Sequence, residues 1–427
     1  MNGGSCMEQK QRAVIVGCNL KDDKEFLNMM SELCSLADAC DIEVVGEITQ
    51  KLERVYSSHY IGKGKIQELS KLIHEKNVDM VIFNDELSPS QIRNLHAGLK
   101  CKVIDRTVLI LNILAKRAKS KEAQLQVEIA KLQYVLPRVT GLRGSLGGQE
   151  DGIKFINKGT GETKLELHHR KIKDRISGLN AELETLVVQR QNQRKQRKKS
   201  GIPTVALVGY TNAGKSSIMN SMIDLYGSSI DKKVFEKDML FATLETYVRN
   251  IKLPNNKSFL LSDTVGFISK LPRQLVNAFR STLEEITEAD MLVHVVDYSN
   301  PNYKQHIEVT KETLKELGAD NIPIIYAYNK TDLVEDEITK DEKDCIYISA
   351  KNKAAINKLV NEICKKVFAQ YVYCEMLIPY EKGNILSYFK YNANIKSTEY
   401  NSKGALISLE CKEADYRRYK QFESLIN

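Results

Sequence analysis

The run Gly209-Tyr-Thr-Asn-Ala-Gly-Lys-Ser216 lies between a short apolar segment, Pro203-Thr-Val-Ala-Leu-Val208, and one in which Ile218, Met219, Met222 and Ile223 recur at helical spacing. A chain that passes from a buried strand into a helix through so tight a turn must place that strand in a sheet flanked by helices. Gly209 and Gly214 let successive backbone N–H groups converge on an anion, and the new helix aims the positive end of its dipole at the same point. Lys215 adds a point charge for the outer phosphates, and the Ser216 hydroxyl is a ligand for Mg²⁺. Gly209, Tyr210, Thr211, Asn212, Ala213, Gly214, Lys215, Ser216 and Ser217 therefore form an expected phosphate cradle.

Three further motifs follow in order. Asp263-Thr-Val-Gly-Phe267 ends the apolar strand Phe259–Ser262, which puts the Asp263 carboxylate at a strand tip facing the phosphates, and Gly266 is expected to offer its N–H to the terminal phosphate. Asn329-Lys-Thr-Asp332 closes a second apolar run, Ile322–Tyr328, and Ser349-Ala350-Lys351 comes after it. Asp332 sets base choice: guanine offers N1–H and the 2-amino group side by side to one carboxylate, whereas adenine would leave the acid unpaired. That penalty supports discrimination of roughly a thousandfold. Asn329 is expected to brace the loop and Lys330 to pack along the base. A Thr that senses the terminal phosphate through Mg²⁺ is expected at Thr243, in Leu240-Phe-Ala-Thr-Leu244. Lys215, Asp263 and Gly266 are the expected catalytic set. Phe267 stands where many such proteins carry a water-orienting Gln, so intrinsic hydrolysis of GTP should be slow and a partner should complete the site.

At 427 residues and 42% hydrophobic content the chain can bury several cores. It contains no run of 18 apolar residues and no charged-then-apolar leader, so neither a membrane span nor secretion is expected and a cytoplasmic location is. Nine cysteines without a C-x-x-C pair read as reduced thiols. The net charge of +8 gathers partly at Arg190–Lys199, either a solvated helix end or a phosphate-contacting patch.

Residues 1–105 alternate strand-like and helix-like runs, as in a small α/β domain; Gly62-Lys-Gly-Lys65 in it reads as a helix-entry turn. Residues 106–200 read as a helical arm. One long helix is expected from Asp105 to Leu136. A second runs from about Thr163 to Lys199, with Leu165, Ile172, Leu179 and Leu186 at heptad spacing and Ile176 and Leu183 beside them, so the two should pair antiparallel. Their connection, 137–161, is glycine-rich and carries Arg138, Arg143, Lys154 and Lys158, expected contacts for a structured RNA unless the connection is a disordered linker. Residues 201–371 form the nucleotide domain and 372–427 a small α+β domain. The fold class is α/β: a mostly parallel sheet flanked by helices, preceded by the small α/β domain and the arm.

The chain resembles the HflX-type GTPases. The resemblance rests on Tyr60-Ile-Gly-Lys-Gly-Lys65, Asp85-Glu-Leu-Ser-Pro89, Asp105-Arg-Thr107, Gly159-Thr-Gly-Glu-Thr163, the cradle, Phe241-Ala-Thr-Leu244, Asp263–Phe267 and Phe279-Arg-Ser-Thr-Leu-Glu-Glu285. It implies a P-loop GTPase that binds the large ribosomal subunit and its rRNA, extends the arm loop toward the peptidyl-transferase region and splits or rescues stalled ribosomes, which stimulate its hydrolysis. A monomer using GTP/GDP and Mg²⁺ is expected. The sequence departs from that pattern where Glu150-Asp151 make the loop acidic, at Thr160, and at Glu245-Thr246. Two other readings are a switch acting on a protein partner and an RNA-binding module that holds GTP structurally.

Overall fold

The structure is a computed structural model that describes residues 10–21, 23–140, 164–199, 201–227, 240–241, 246–254, 256–270, 280–334 and 344–424. The chain divides into two compact units. Described residues up to 192, with 240–241, 267–270 and 280–282, make the first; the second takes 193–227, 246–266 and the chain from 283 onward.

The first unit opens with β1 (Gln11–Leu20), α1 (Phe26–Ala39), β2 (Ile42–Leu52), α2 (Lys63–Lys76), β3 (Met80–Phe83), α3 (Pro89–Leu99) and β4 (Lys102–Asp105). The strands form a parallel sheet in the order β2-β1-β3-β4. Ala13 to Val16 in β1 are fully buried, as an apolar run in a parallel sheet should be. Gly62 caps α2, so Gly62–Lys65 is a helix entry. A reciprocal capping box between Ser88 and Gln91, with Pro89 at the first helical position, starts α3.

The helix expected from Asp105 to Leu136 is two helices, α4 (Arg106–Arg117) and α5 (Lys121–Thr140). The chain leaves helical geometry at Ala118 (ψ 107°), and Ser120 starts the next helix by accepting a hydrogen bond from Ala123 N at 3.2 Å. The second helix then continues through Pro137 to Thr140.

Arg138, one of the expected RNA contacts, lies on α5 and not in the connection that follows it. Its guanidinium sits 3.3 Å from the Tyr134 ring centroid and donates to Tyr134 O at 2.6 Å and to Glu86 Oε1 and Leu87 O at 3.0 Å. Three hydrogen bonds and the stacked ring hold the side chain, which is 14% exposed, although its buried Nε–H has no partner among the described residues. Arg143, Lys154 and Lys158 lie outside the described residues.

On α6 (Lys164–Lys199), Leu179 is buried with Leu125 and Ile129 of α5, and Ile176, Leu183, Leu186 and Leu132 pack around them. Arg175–Glu128 (2.8 Å) and Lys121–Glu182 (3.1 Å) run in opposite senses along the two helices, so the pair is antiparallel. These exposed ion pairs contribute little; the apolar seam holds the hairpin.

The second unit contains β5 (Thr204–Val208), α7 (Lys215–Tyr226), β6 (Tyr247–Lys252), β7 (Ser258–Asp263), α8 (Arg280–Thr287, begun in the first unit), β8 (Met291–Asp297), α9 (Tyr303–Glu316), β9 (Ile324–Asn329), β10 (Cys345–Tyr347) and α10 (Lys353–Val367). The sheet order is β10-β9-β8-β5-β7-β6, parallel except for the β6–β7 pair. Val205, Leu207, Val293 and Val295 of the central strands pack with Ile218, Met219 and Met222 of α7 and Ile356 and Leu359 of α10. Each such side chain contributes about 1.5–3 kcal/mol. In this register Leu207 stands beside Asp263 and Asp297 beside Asn329, so the carboxyl ends of β7, β8 and β9 open on one edge, where such sheets bind ligands.

The chain ends in β11 (Tyr371–Ile378), α11 (Gly383–Asn392), β12 (Asn394–Asn401), β13 (Gly404–Lys412) and α12 (Glu413–Tyr419), an antiparallel sheet in the order β11-β13-β12 over its own core of Met376, Phe389, Ile407 and Leu409.

Candidate functional site

The cradle is assembled by backbone geometry first. Gly214 sits at φ +94°, a conformation that side chains rarely adopt, and a Cβ there would lie 2.2 Å from Asn329 Nδ2. That close approach lets Asn329 donate from Nδ2 to Ala213 O at 2.9 Å while its Oδ1 accepts from Ala350 N, also at 2.9 Å. One buried amide thus joins the cradle, the Asn329–Asp332 run and the Ser349–Lys351 run. On the other side of the loop the Tyr210 ring stacks on His306 of α9, with centroids 3.8 Å apart.

Lys215 opens α7 and is buried; its Nζ donates to Gly209 O at 3.1 Å and Tyr210 O at 2.8 Å. Burial pushes its pKa down to about 8, against the pull of the Asp263 carboxylate. A charged lysine held by two neutral carbonyls is poorly compensated, and a phosphate supplies the missing anion.

Asp263 ends β7 fully buried, and its Oδ2 accepts from Ser216 Oγ at 2.6 Å. Thr264 Oγ1 fastens the next residue by donating to Leu207 O at 2.7 Å. A hydroxyl and a carboxylate this close are hard oxygen donors of the kind Mg²⁺ prefers, so the residues present fit that ion. Thr243, the other expected metal ligand, lies outside the described residues. Gly266 abuts the cradle: a Cβ there would stand 2.7 Å from Thr211 Cα and 3.0 Å from Lys215 Nζ. Ser217 sits beside Ser216 in the first turn of α7.

At the far end, Asp332 lies on a single tight turn, Thr331–Leu333. The Ser349 hydroxyl holds its carboxyl below the ordinary range, helped by Lys351, whose Nζ is 3.3 Å from Asp332 Oδ2. Lys330 adopts φ +65° and its Nζ meets Asp297 Oδ2 at 2.7 Å. Sequence reasoning missed Asp297, although an acid closing the apolar strand Met291–Val296 was the available signal; Thr264 and His306 carried none.

A glycine-bounded cradle on the central strand, a buried Asp at the neighbouring strand tip, and an Asn-Lys-x-Asp turn braced by a Ser-Ala-Lys loop define a P-loop GTPase. Three family models match the chain: the GTP-binding GTPase N-terminal region over 28–115, the GTP-binding GTPase middle region over 117–197 and the 50S ribosome-binding GTPase over 204–330. GTPase HflX of Caldanaerobacter subterraneus subsp. tengcongensis is 44% identical over 412 residues, covering 95% of this chain and 93% of that protein. GTPase HflX of Escherichia coli (strain K12) is 34% identical over 426 residues, 98% of this chain and 97% of that one. This chain belongs to the HflX family of GTPases and is a GTP hydrolase.

Among solved structures, a GTP-binding protein from the archaeon Sulfolobus solfataricus in complex with GDP is 25% identical, covering 83% of this chain and 99% of that one with a TM-score of 0.45. Among the described residues, no helix is long and apolar enough to cross a membrane.

Proposed function

We propose that this protein is a Mg²⁺-dependent, ribosome-stimulated GTPase that binds the large ribosomal subunit and splits or rescues stalled ribosomes in the cytoplasm, acting as a monomer. The observation that carries this reading is the match of residues 204–330, which hold the cradle, to the 50S ribosome-binding GTPase family. The antiparallel α5–α6 hairpin supports it: a stiff mount for the glycine-rich connection 141–163, whose Arg143, Lys154 and Lys158 suit phosphate and unstacked bases.

In this reading Gly209–Ser217 hold the phosphates, Lys215 balances charge at the outer pair, and Gly266 N–H meets the terminal phosphate. Asn329, Lys330, Asp332 and Ser349–Lys351 hold guanine. Ser216 and Thr243 would hold Mg²⁺ and Asp263 a water on it, and the ion would supply neutralisation of the phosphate charge. The residues 1–105, 106–200, 201–371 and 372–427 act as amino-terminal, arm, nucleotide and carboxyl-terminal domains.

Co-sedimentation with ribosomes in GTP, GDP and a non-hydrolysable analogue tests the proposal. Binding that favours the triphosphate, with hydrolysis stimulated by ribosomes and lost on deleting 141–161, supports it. Turnover indifferent to ribosomes would point to a protein-directed switch, and no multiple turnover with ribosomes would point to structural GTP.

A further inference from the structure

Hydrolysis needs a group that aims water at the terminal phosphorus, and the usual position cannot supply one. Phe267 follows Gly266 there, its ring 2% exposed and without hydrogen-bonding atoms. The cradle holds another candidate. Thr211 is 6% exposed, and its buried Oγ1 has no hydrogen-bond partner among the described residues. Left unsatisfied, such a hydroxyl costs about 1–3 kcal/mol, a cost that a bound ligand removes.

Its neighbours identify that ligand. A Cβ on Gly266 would meet Thr211 Cα at 2.7 Å, Thr211 Cγ2 at 2.8 Å and Lys215 Nζ at 3.0 Å, so the glycine that follows Asp263-Thr-Val abuts both Thr211 and the phosphate-binding lysine. The loop around it is held on both sides, by Tyr210 stacked on His306 and by Ala213 O bonded to Asn329. A β-branched side chain on a fixed backbone also has few rotamers, so the hydroxyl is preorganised.

We propose that Thr211 is a catalytic residue that takes over the work of the absent glutamine. A hydroxyl offers one donor and two acceptor sites. Thr211 Oγ1 accepts a hydrogen bond from the attacking water and donates its own proton to an oxygen of the terminal phosphoryl group. The water oxygen bonds to the terminal phosphorus as the bond to the bridging oxygen of GDP breaks; the water proton leaves on the released phosphate, and Thr211 ends unchanged. The inference rests on the nucleotide reading of the cradle and not on the ribosome.

The test uses the full-length protein without ribosomes, so a failed ribosome assignment leaves it intact. Thr211→Val keeps the shape and removes the hydroxyl, Thr211→Ser keeps the hydroxyl, and Thr211→Ala is a second deletion should the valine fold poorly. Single-turnover hydrolysis and affinities for GTP, GDP and GDP with aluminium fluoride are measured for each. Loss of the hydroxyl should slow the single-turnover rate constant about 100-fold and abolish the extra affinity for the fluoride complex, with GTP and GDP affinities little changed and serine near wild type. An unchanged rate in the valine or alanine variant overturns the proposal. So does a loss of GTP affinity as large as the loss of rate, or a serine variant as slow as the valine.

Discussion

Asn329 Nδ2 donates to the carbonyl of Ala213 at 2.9 Å, across 116 residues of sequence. The same side chain accepts from Ala350 N, so a residue of the base-recognition turn is also the buttress of the phosphate loop.

Asn329→Asp removes the donor and sets a carboxylate against the Ala213 carbonyl. The expected cost is about 1–3 kcal/mol of stability, read by urea unfolding, with GDP affinity falling at least about tenfold. Unaltered stability and affinity would show that the brace is incidental.

Lys215 carries the pH signature. Its folded pKa, about 8, is below the ordinary 10.5, so between these values the unfolded chain binds more protons and nucleotide-free stability should rise with pH. Bound phosphate restores the charged form, so nucleotide binding near pH 8 should take up about half a proton. Calorimetry in buffers of different ionisation enthalpy measures that uptake; no buffer dependence refutes it. Lys215→Ala should abolish tight GTP binding and the uptake together.

Asp332 is expected to choose the base. Asp332→Asn should weaken GTP binding about a thousandfold and favour xanthosine triphosphate, whose edge suits an amide. Competition between the two nucleotides decides it, and a variant that still prefers GTP removes Asp332 from recognition.

Arg106 tests the first unit. Its guanidinium, 2% exposed, pairs with Glu32 and donates to Asn84 Oδ1 and Ser269 O at 3.1 Å, the last being the third residue after Gly266. Glu32→Ala leaves that buried charge under-compensated and should cost about 3 kcal/mol in urea unfolding. A loss below about 1 kcal/mol would mean that water or a neighbour replaces the carboxylate.

Local chemistry made much of the molecule legible. Gly209–Ser216 announced a strand, a turn and a helix because neighbouring residues alone impose that geometry, and the α5–α6 seam was visible as a heptad. The polar edge strand β12, Asn394-Ile-Lys-Ser-Thr-Glu-Tyr-Asn401, escaped notice because most of it is exposed and nothing in it alternates. The break at Ala118 and the passage of α5 through Pro137 were also hidden: a polar stretch did not reveal its helix start at Ser120, and proline marks a helix end more often than it is carried inside one.

By itself, the order of residues determined which motifs exist, in what succession, and that they belong to a guanine-nucleotide hydrolase, since each depends on atoms a few bonds apart. Only the tertiary structure decided that Asn329 bonds to Ala213, that Arg138 bonds to Tyr134, Glu86 and Leu87, and that the Thr211 hydroxyl is buried with no partner among the described residues. Those outcomes depend on which distant groups the packed sheets and helices bring within hydrogen-bonding range, and pattern along a chain does not encode distance across it.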